Sequence, residues 1–130
     1  MTDHWTQKYI GTPYTNRHNC AWLVRKVLAE QFGKAIRVPG ALTRRKLSAD
    51  EILDLFSTLG EPVDQPRESD GALMRIQGDL VTAEYHIGIC AIWQKDTWIL
   101  HSIKTVGCLF QPLPHLSRLH LEVVNFYRWK

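Results

Sequence analysis

The stretch that decides the fold is Tyr9-Ile-Gly-Thr-Pro-Tyr14-Thr-Asn-Arg-His-Asn19-Cys20-Ala-Trp-Leu-Val-Arg-Lys-Val-Leu-Ala-Glu-Gln-Phe-Gly33. Its first half contains glycine and proline and predicts a loop. From residue 20 onward, apolar residues recur at helical spacing, which predicts an amphipathic helix over 20–32 with one side facing a core. Asn19 suits the N-cap and Gly33 suits the position after the last helical turn. Cys20 would then lie in the first turn, where the helix dipole and free backbone N–H groups favour the thiolate.

Length and composition indicate one globular domain over residues 1–130. The chain is 45% hydrophobic and 22% charged, and its net charge is only +3. Basic residues are scattered apart from Arg44-Arg45-Lys46, so no nucleic-acid partner is expected. No apolar run is long enough for a signal peptide or a membrane span, so we expect synthesis in the cytoplasm and export, if any, by a non-Sec route.

The cysteine pattern argues against disulfide and zinc frameworks. The three cysteines form an odd and sparse set without a CxxC pair, namely Cys20, Cys90 and Cys108. Neither a disulfide scaffold nor a metal site is therefore expected. Cys90 and Cys108 lie within apolar runs and are expected to be core residues.

The order of predicted elements indicates the α+β class. Ser48-Ala-Asp-Glu51 is a capping box and predicts a second helix to about Leu59, with Gly60 as its stop. Strands are predicted over 72–76, 86–93, 97–103, 107–111 and 121–129, with a turn or short helix over 112–119. Helices that precede an antiparallel meander are typical of an α+β domain in which helices pack on one sheet.

Two histidines give the cysteine a candidate catalytic partner. A thiol hydrolase needs a thiolate, an imidazole within hydrogen-bond reach and a polar group that orients the imidazole. His86 opens a strand that is otherwise apolar, which is a costly place for a polar ring without a partner. His101 lies on the next strand and could orient His86. Cys20, His86 and His101 are therefore the predicted catalytic residues.

The hairpin between the two histidine strands limits this arrangement. If Lys95 and Asp96 form a symmetric turn, Cys90 pairs with His101, and both histidines lie on one face. They would then be four residues apart along the strands, roughly 13 Å at ~3.3 Å per residue. Thr105 would lie opposite His86 in that register, so Thr105 competes with His101 for the orienting role.

The ordered set of motifs resembles the NlpC-type cell-wall peptidases (the NlpC/P-sixty family). The resemblance rests on the Gly-Thr-Pro-Tyr14 loop, Cys20 at a helix start, His86-Ile-Gly-Ile, and Ile-Leu-His101-Ser on the following strand. It extends over about residues 9–129, and the closing Asn-Phe-Tyr-Arg-Trp129 is similar to the ending of the phage-tail-associated branch.

This resemblance implies a papain-like fold in which the helix bearing Cys20 packs on an antiparallel sheet bearing His86 and His101. It implies hydrolysis of peptidoglycan stem peptides, typically between D-γ-glutamyl and a diamino acid, without a metal or cofactor. Cys20 would be the nucleophile, His86 the general base and then acid, and His101 the orienting residue. Tyr14 matches the family's tyrosine beside the nucleophile and would line the substrate site.

The chain departs from the family pattern next to the cysteine. Asn19 stands where the family has aspartate, and Ala21-Trp22 stands where it has Ser-Gly or Trp-Gly. Trp22 would narrow the substrate cleft. These departures motivate an alternative, a non-catalytic structural or binding module of a phage tail or secretion assembly on the same fold. Another papain-like chemistry, such as acyl transfer or deamidation, is a third hypothesis.

Overall fold

The computed structural model describes residues 4–39, 47–77 and 82–130. The basic run Arg44-Arg45-Lys46 lies outside these ranges. The two α-helices are α1 (Cys20–Phe32) and α2 (Ala49–Ser57), and two 3₁₀ segments cover Gln7–Tyr9 and Leu113–Leu119. The strands are β1 (Leu47–Ser48), β2 (Gly60–Val63), β3 (Gly71–Ile76), β4 (Thr82–Ala83), β5 (Tyr85–Trp93), β6 (Asp96–Ile103), β7 (Gly107–Pro112) and β8 (Leu121–Trp129). No helix within the described residues is long and apolar enough to cross a membrane.

The predicted caps form at both ends of α1. The Asn19 side chain accepts a hydrogen bond of 3.0 Å from the Trp22 backbone N–H. Gly33 adopts the left-handed conformation at φ +63°, and its N–H bonds back to the Leu28 carbonyl. Because glycine reaches this conformation without a steric cost, it ends the helix cleanly. The predicted bounds of α1 are therefore confirmed, and Cys20 is its first residue.

The second helix begins as predicted and ends earlier. Ser48 and Glu51 form both bonds of the capping box. The helix ends at Ser57, and Gly60, predicted only as a helix stop, opens the strand β2. Pro62 within β2 favoured a break in the chain, but β2 is an edge strand, where a missing N–H costs no ladder bond.

One six-stranded antiparallel sheet organises the molecule, in the order β2-β8-β3-β5-β6-β7. The predicted α+β class is confirmed. The predicted meander holds for β3-β5-β6-β7, whereas the last strand β8 returns to lie between β2 and β3. The short pair β1 and β4 forms a separate two-stranded sheet that the sequence did not predict.

The two faces of the sheet bury different cores. The helices cover one face, which we call the helix face, where α1 packs on β5 and β6. The helix-face core includes Cys20, Leu23, Val24, Leu73, Ile87, Ile89, Leu100 and Cys108. The other face, which we call the reverse face, buries a smaller core under the 3₁₀ segment Leu113–Leu119, with Ala72, Met74, Cys90, Ile99, Leu116 and Leu121. Cys90 and Cys108 are buried, as predicted.

The β5–β6 hairpin has a different register from the one expected. Gln94 and Lys95 both have positive φ, at +51° and +70°, and form the two-residue turn. Trp93 therefore pairs with Asp96, and Cys90 pairs with Ile99 rather than with His101. A two-residue turn with positive φ at both positions matches the twist of a hairpin. The prediction of a Lys95-Asp96 turn is wrong by one residue, which shifts the pairing by two.

Candidate active site

Cys20 lies at the start of α1 but is completely buried, at 0% exposure. Burial raises the pKa of its thiol to about 12 and outweighs the opposing effect of the backbone N–H groups of Ile87, Ala21 and Cys20 itself. The expectation that the helix start keeps a thiolate is therefore not met in this structure. Removing a thiolate from water costs more free energy than the N–H groups and the dipole at a helix start recover.

The Cys20 sulfur lies beside the place where the β5–β6 ladder stops. Cys90 exchanges backbone hydrogen bonds with Asp70 and Ser69 on the β3 side, so odd-numbered residues of β5 direct their N–H groups toward β6. The β5–β6 pairs end at Ile89 and Leu100. The Ile87 N–H is thus directed toward the β6 side beyond the last β5–β6 pair, and it acts on the Cys20 thiol.

His86 and His101 lie close together on the reverse face. His86 pairs with Met74 of the reverse-face core. Continued from its last pair, the β5–β6 register sets His101 opposite Gly88 and one step diagonal from His86. An added Cβ at Gly88 would lie 3.1 Å from the His101 Cβ and 2.9 Å from the Leu100 carbonyl oxygen. With the observed turn, His86 and His101 are diagonal neighbours on adjacent strands instead of lying four residues apart. Residues in such positions are typically about 7–8 Å apart.

Thr105 is not a partner of His86. It lies in the exposed turn between β6 and β7, and Ile103 is the residue that the register sets opposite His86. The hypothesis that Thr105 orients the imidazole is therefore wrong. Its basis was the Lys95-Asp96 turn, which the hairpin does not form.

The histidine pair carries unused hydrogen-bonding capacity. His101 is fully buried, and its Nε2 lies 2.8 Å from the Gln111 Oε1. The Nδ1 atoms of both His86 and His101 are buried and have no hydrogen-bond partner among residues 4–39, 47–77 and 82–130. An unpaired buried polar atom costs about 1–3 kcal/mol, so such a pair is unusual unless a ligand or a partner group uses it.

Burial and mutual charge keep both imidazoles neutral. Burial lowers the pKa of His86, with Glu84 opposing and Lys104 reinforcing that shift. Burial also lowers the pKa of His101, and a positive charge on His86 would lower it further, whereas the bond to Gln111 raises it. The two rings are therefore within electrostatic reach of each other, and neither is charged at neutral pH.

The structure brings the two histidines together but bonds neither of them to Cys20. Among the described residues, the groups that act on the Cys20 thiol are backbone N–H groups, and no imidazole is one of them. The histidine side chains leave the sheet on the reverse face, whereas α1 covers the helix face.

The predicted substrate-binding residues lie at the start of α1. Tyr14 is half-buried in the loop before the helix. That loop is fixed to the sheet, because the Thr12 carbonyl accepts from the Cys108 N–H and the Gly11 N–H donates to the Cys108 carbonyl. Trp22 stacks on His18 with ring centroids 4.0 Å apart, so one of its faces is already covered.

Gln111 is the residue of this cluster that the sequence did not suggest. It lies on β7, where Leu109 pairs with His101 and Gln111 is the diagonal neighbour. A hairpin between β6 and β7 that places Ile103 opposite Gly107 would have indicated that Gln111 lies near His101. Within residues 4–39, 47–77 and 82–130, no three His, Cys, Asp or Glu side chains are grouped as a metal site.

The comparisons with protein families and with curated proteins identify no relative of this chain. No protein-family model matches the chain, and no match is found among curated proteins. Function is therefore inferred from the geometry and from the motifs of the sequence.

Proposed function

We propose that the chain is a papain-like thiol hydrolase that cleaves amide bonds in peptidoglycan stem peptides, of the γ-D-glutamyl-diamino acid type. The observation that carries the proposal is the pair of buried Nδ1 atoms, of His86 and His101, that have no hydrogen-bond partner among the described residues. Two unpaired polar atoms in a core are a cost to stability that a catalytic role explains. The substrate class rests on the resemblance to NlpC-type peptidases.

Each residue has a separate role in this mechanism. His86 Nδ1 accepts the Cys20 proton, and the sulfur attacks the amide carbonyl to form a tetrahedral oxyanion. Backbone N–H groups at the start of α1 stabilise that oxyanion. His86 then donates the proton to the leaving amine, and water releases the acyl group from sulfur with His86 as base.

Without substrate, the nucleophile and the base are both uncharged. The Cys20 thiol and the His86 imidazole are both neutral because both are buried. His86 leaves the sheet on the reverse face and Cys20 lies on the helix face, so proton transfer requires the His86 side chain to move toward the sulfur at the end of the β5–β6 ladder. Substrate bound beside the two groups would exclude water and strengthen the attraction between thiolate and imidazolium.

The test is hydrolysis of purified peptidoglycan and of a γ-D-glutamyl-diamino acid peptide, with the released amine measured by mass spectrometry. Cys20→Ala should reduce the rate by about 10³-fold or more, because the nucleophile is removed. Cys90→Ala is the matched control, since Cys90 is equally buried but belongs to the reverse-face core. Cleavage by Cys20→Ala at the wild-type rate would refute the proposal.

A second candidate is a non-catalytic module of a phage tail or secretion assembly. The observation that favours it is the neutral, fully buried thiol with no imidazole bonded to it. Thiol alkylation as a function of pH separates the two candidates. A module should show a slow reaction whose midpoint stays near the raised pKa with or without peptidoglycan fragments. A hydrolase should show a lower midpoint when a fragment is bound.

A further inference from the structure

The last strand, β8, extends further than the edge strand that pairs with it. β8 covers Leu121–Trp129, whereas β2 pairs only with its second half and makes its last pair between Val63 and Phe126. On the other side, β3 pairs with β8 as far as Leu121. Within the part of the chain that the structure describes, residues 121–125 therefore have a neighbouring strand on the β3 side only. We call these five residues the open edge.

The backbone groups of the open edge alternate between the two sides of β8. The Gln77 N–H donates to the His120 carbonyl at 2.7 Å, so His120 is directed toward β3. Because every second residue of an antiparallel strand bonds to the same side, Glu122 is also directed toward β3, and Leu121 and Val123 are directed away from it. Their N–H and C=O groups point to the side on which β2 has ended. Such groups are a template for a further strand.

An apolar groove lies along the open edge on the reverse face. It has a volume of about 460 Å³, and the 3₁₀ segment Leu113–Leu119 forms one of its walls. The apolar side chains that line it include Val63, Leu113, Leu116, Val123, Val124 and Phe126. Val124 is 39% exposed. Since side chains of a strand alternate between the two faces of a sheet, every second side chain of an added strand would enter this groove.

The charged residues that line the groove are both acidic. They are Asp64 and Glu122, and the lining includes no lysine, arginine or histidine. Glu122 already accepts a hydrogen bond of 2.8 Å from Arg75. Asp64 is exposed and directly follows the last residue of β2. A strand that continued the line of β2 would therefore begin beside the Asp64 carboxylate, which favours a basic residue at that end.

We propose that the open edge binds an extended segment of a partner protein, which adds to the sheet as a strand antiparallel to β8 and in line with β2. Alternate apolar side chains of the segment fill the groove, and a lysine or arginine at its start lies beside Asp64. Hydrogen bonds to the backbone of Leu121 and Val123 supply affinity, and the groove selects the side chains. This binding is independent of hydrolysis.

The probe is the blocked peptide acetyl-Lys-Val-Lys-Val-Thr-amide, whose two valines share one face of a strand. It is titrated into the full chain labelled with ¹⁵N, and amide shifts and hydrogen exchange are measured. In the free chain, the N–H groups of Leu121 and Val123 should exchange faster than that of Glu122, because only Glu122 bonds to β3. The peptide should slow exchange at Leu121 and Val123. Exchange at these two residues that the saturating peptide leaves unchanged would overturn the proposal.

Two N-methylated forms of the probe distinguish strand addition from apolar contact alone. A methyl group on the nitrogen of the first valine removes an N–H that faces β8, and binding should weaken about 10-fold or more because an acceptor on β8 loses its donor. A methyl group on the nitrogen of the second lysine removes an N–H that faces away from β8, and the affinity should stay close to that of the probe. Equal affinities of the two forms would contradict the proposal.

A charge reversal tests the place of the basic residue. Asp64→Lys should weaken binding of the probe about 3- to 10-fold, because it replaces an attraction by a repulsion at an exposed site. Asp54→Lys is the matched control, since Asp54 is exposed on α2 and its replacement changes the net charge by the same amount away from the groove. Equal losses in the two variants would contradict the proposal.

Sedimentation of the chain without the probe tests the nature of the partner. We expect a monomer across the concentrations used for the titration. A dimer that the probe dissociates would assign the open edge to a second copy of this chain and would overturn its assignment to a partner protein.

Discussion

At the scale of single residues, the half-buried imidazole of His86 and the buried imidazole of His101 make stability depend on pH. Burial lowers the pKa of both rings below the ordinary histidine value of about 6.5. In the unfolded chain both histidines protonate near 6.5, whereas in the folded chain they resist protonation. The unfolded state therefore binds more protons as the pH falls below about 6.5, and the free energy of unfolding should decrease there. Above that pH both states are neutral, and this contribution disappears.

Urea unfolding at pH 7.5 and pH 5 measures this effect. The double variant His86→Gln/His101→Gln should lose less stability between the two pH values than the wild type does. His115→Gln is the control, because His115 lies on the 3₁₀ segment and outside the pair. A double variant with the wild-type pH dependence would show that other groups cause the acid sensitivity.

The residue scale also shows what the sequence could and could not indicate. Cys20 at a helix start, its cap Asn19 and the two histidines follow from local patterns, and local patterns depend on neighbours along the chain. The protonation state of Cys20 does not follow from local patterns, because it depends on burial by residues from distant elements, such as Ile87 and Cys108. The helix-start argument for a thiolate is sound for an exposed cysteine and fails for one at 0% exposure.

At the scale of elements, the turn between β5 and β6 decides whether the histidines can meet. Lys95 has a φ of +70° in this turn, whereas Asp96 is the first residue of β6 and pairs with Trp93. Glycine at position 95 removes a left-handed strain of about 1 kcal/mol, and glycine at position 96 weakens a strand end. We therefore expect Lys95→Gly to raise the free energy of unfolding and Asp96→Gly to lower it.

The opposite signs make this pair of variants a test of register. A turn centred on Lys95 and Asp96 would give stabilisation by Asp96→Gly instead. Chemical denaturation of both variants beside the wild type is sufficient, since each differs by one side chain at an exposed position. The sequence does not decide between a Gln94-Lys95 turn and a Lys95-Asp96 turn. Neither pair has the Asn-Gly or Asp-Gly pattern that identifies a hairpin turn.

At the scale of the whole molecule, the sheet order places the last strand inside the sheet, next to the edge strand β2. The sequence predicts β8 correctly as a strand but not its neighbours, because strand order depends on contacts between residues far apart in sequence. β8 lies between β2 and β3, with a register shift between Leu73 and Met74 of β3. The strand that carries His86 pairs with β3, so β8 supports the candidate site through β3.

Trp129 fixes β8 against the residues at the start of β3. Its Nε1–H donates to the Ser69 carbonyl at 2.7 Å, and its ring lies so close to Gly71 that an added Cβ there would lie 2.5 Å from it. Only 6% of Trp129 is exposed, within the same core as Cys20. Trp129→Ala should therefore lower the free energy of unfolding by about 3–5 kcal/mol, through lost burial and the cavity left behind.

Trp129→Phe separates the two parts of that loss. Phenylalanine keeps most of the apolar contact but leaves the Ser69 carbonyl without its donor, which costs about 1–3 kcal/mol for a buried acceptor. Urea unfolding followed by far-ultraviolet circular dichroism gives both values, and Trp22→Ala serves as the control, since Trp22 is half-buried on α1 and stacks on His18. A loss in Trp129→Ala no larger than that in Trp22→Ala would mean that the last strand closes the sheet without this side chain. If the proposed function holds, a large loss should also be accompanied by lower hydrolysis of the γ-D-glutamyl peptide at temperatures where the wild type is still folded, because β8 supports β3 and β3 supports β5.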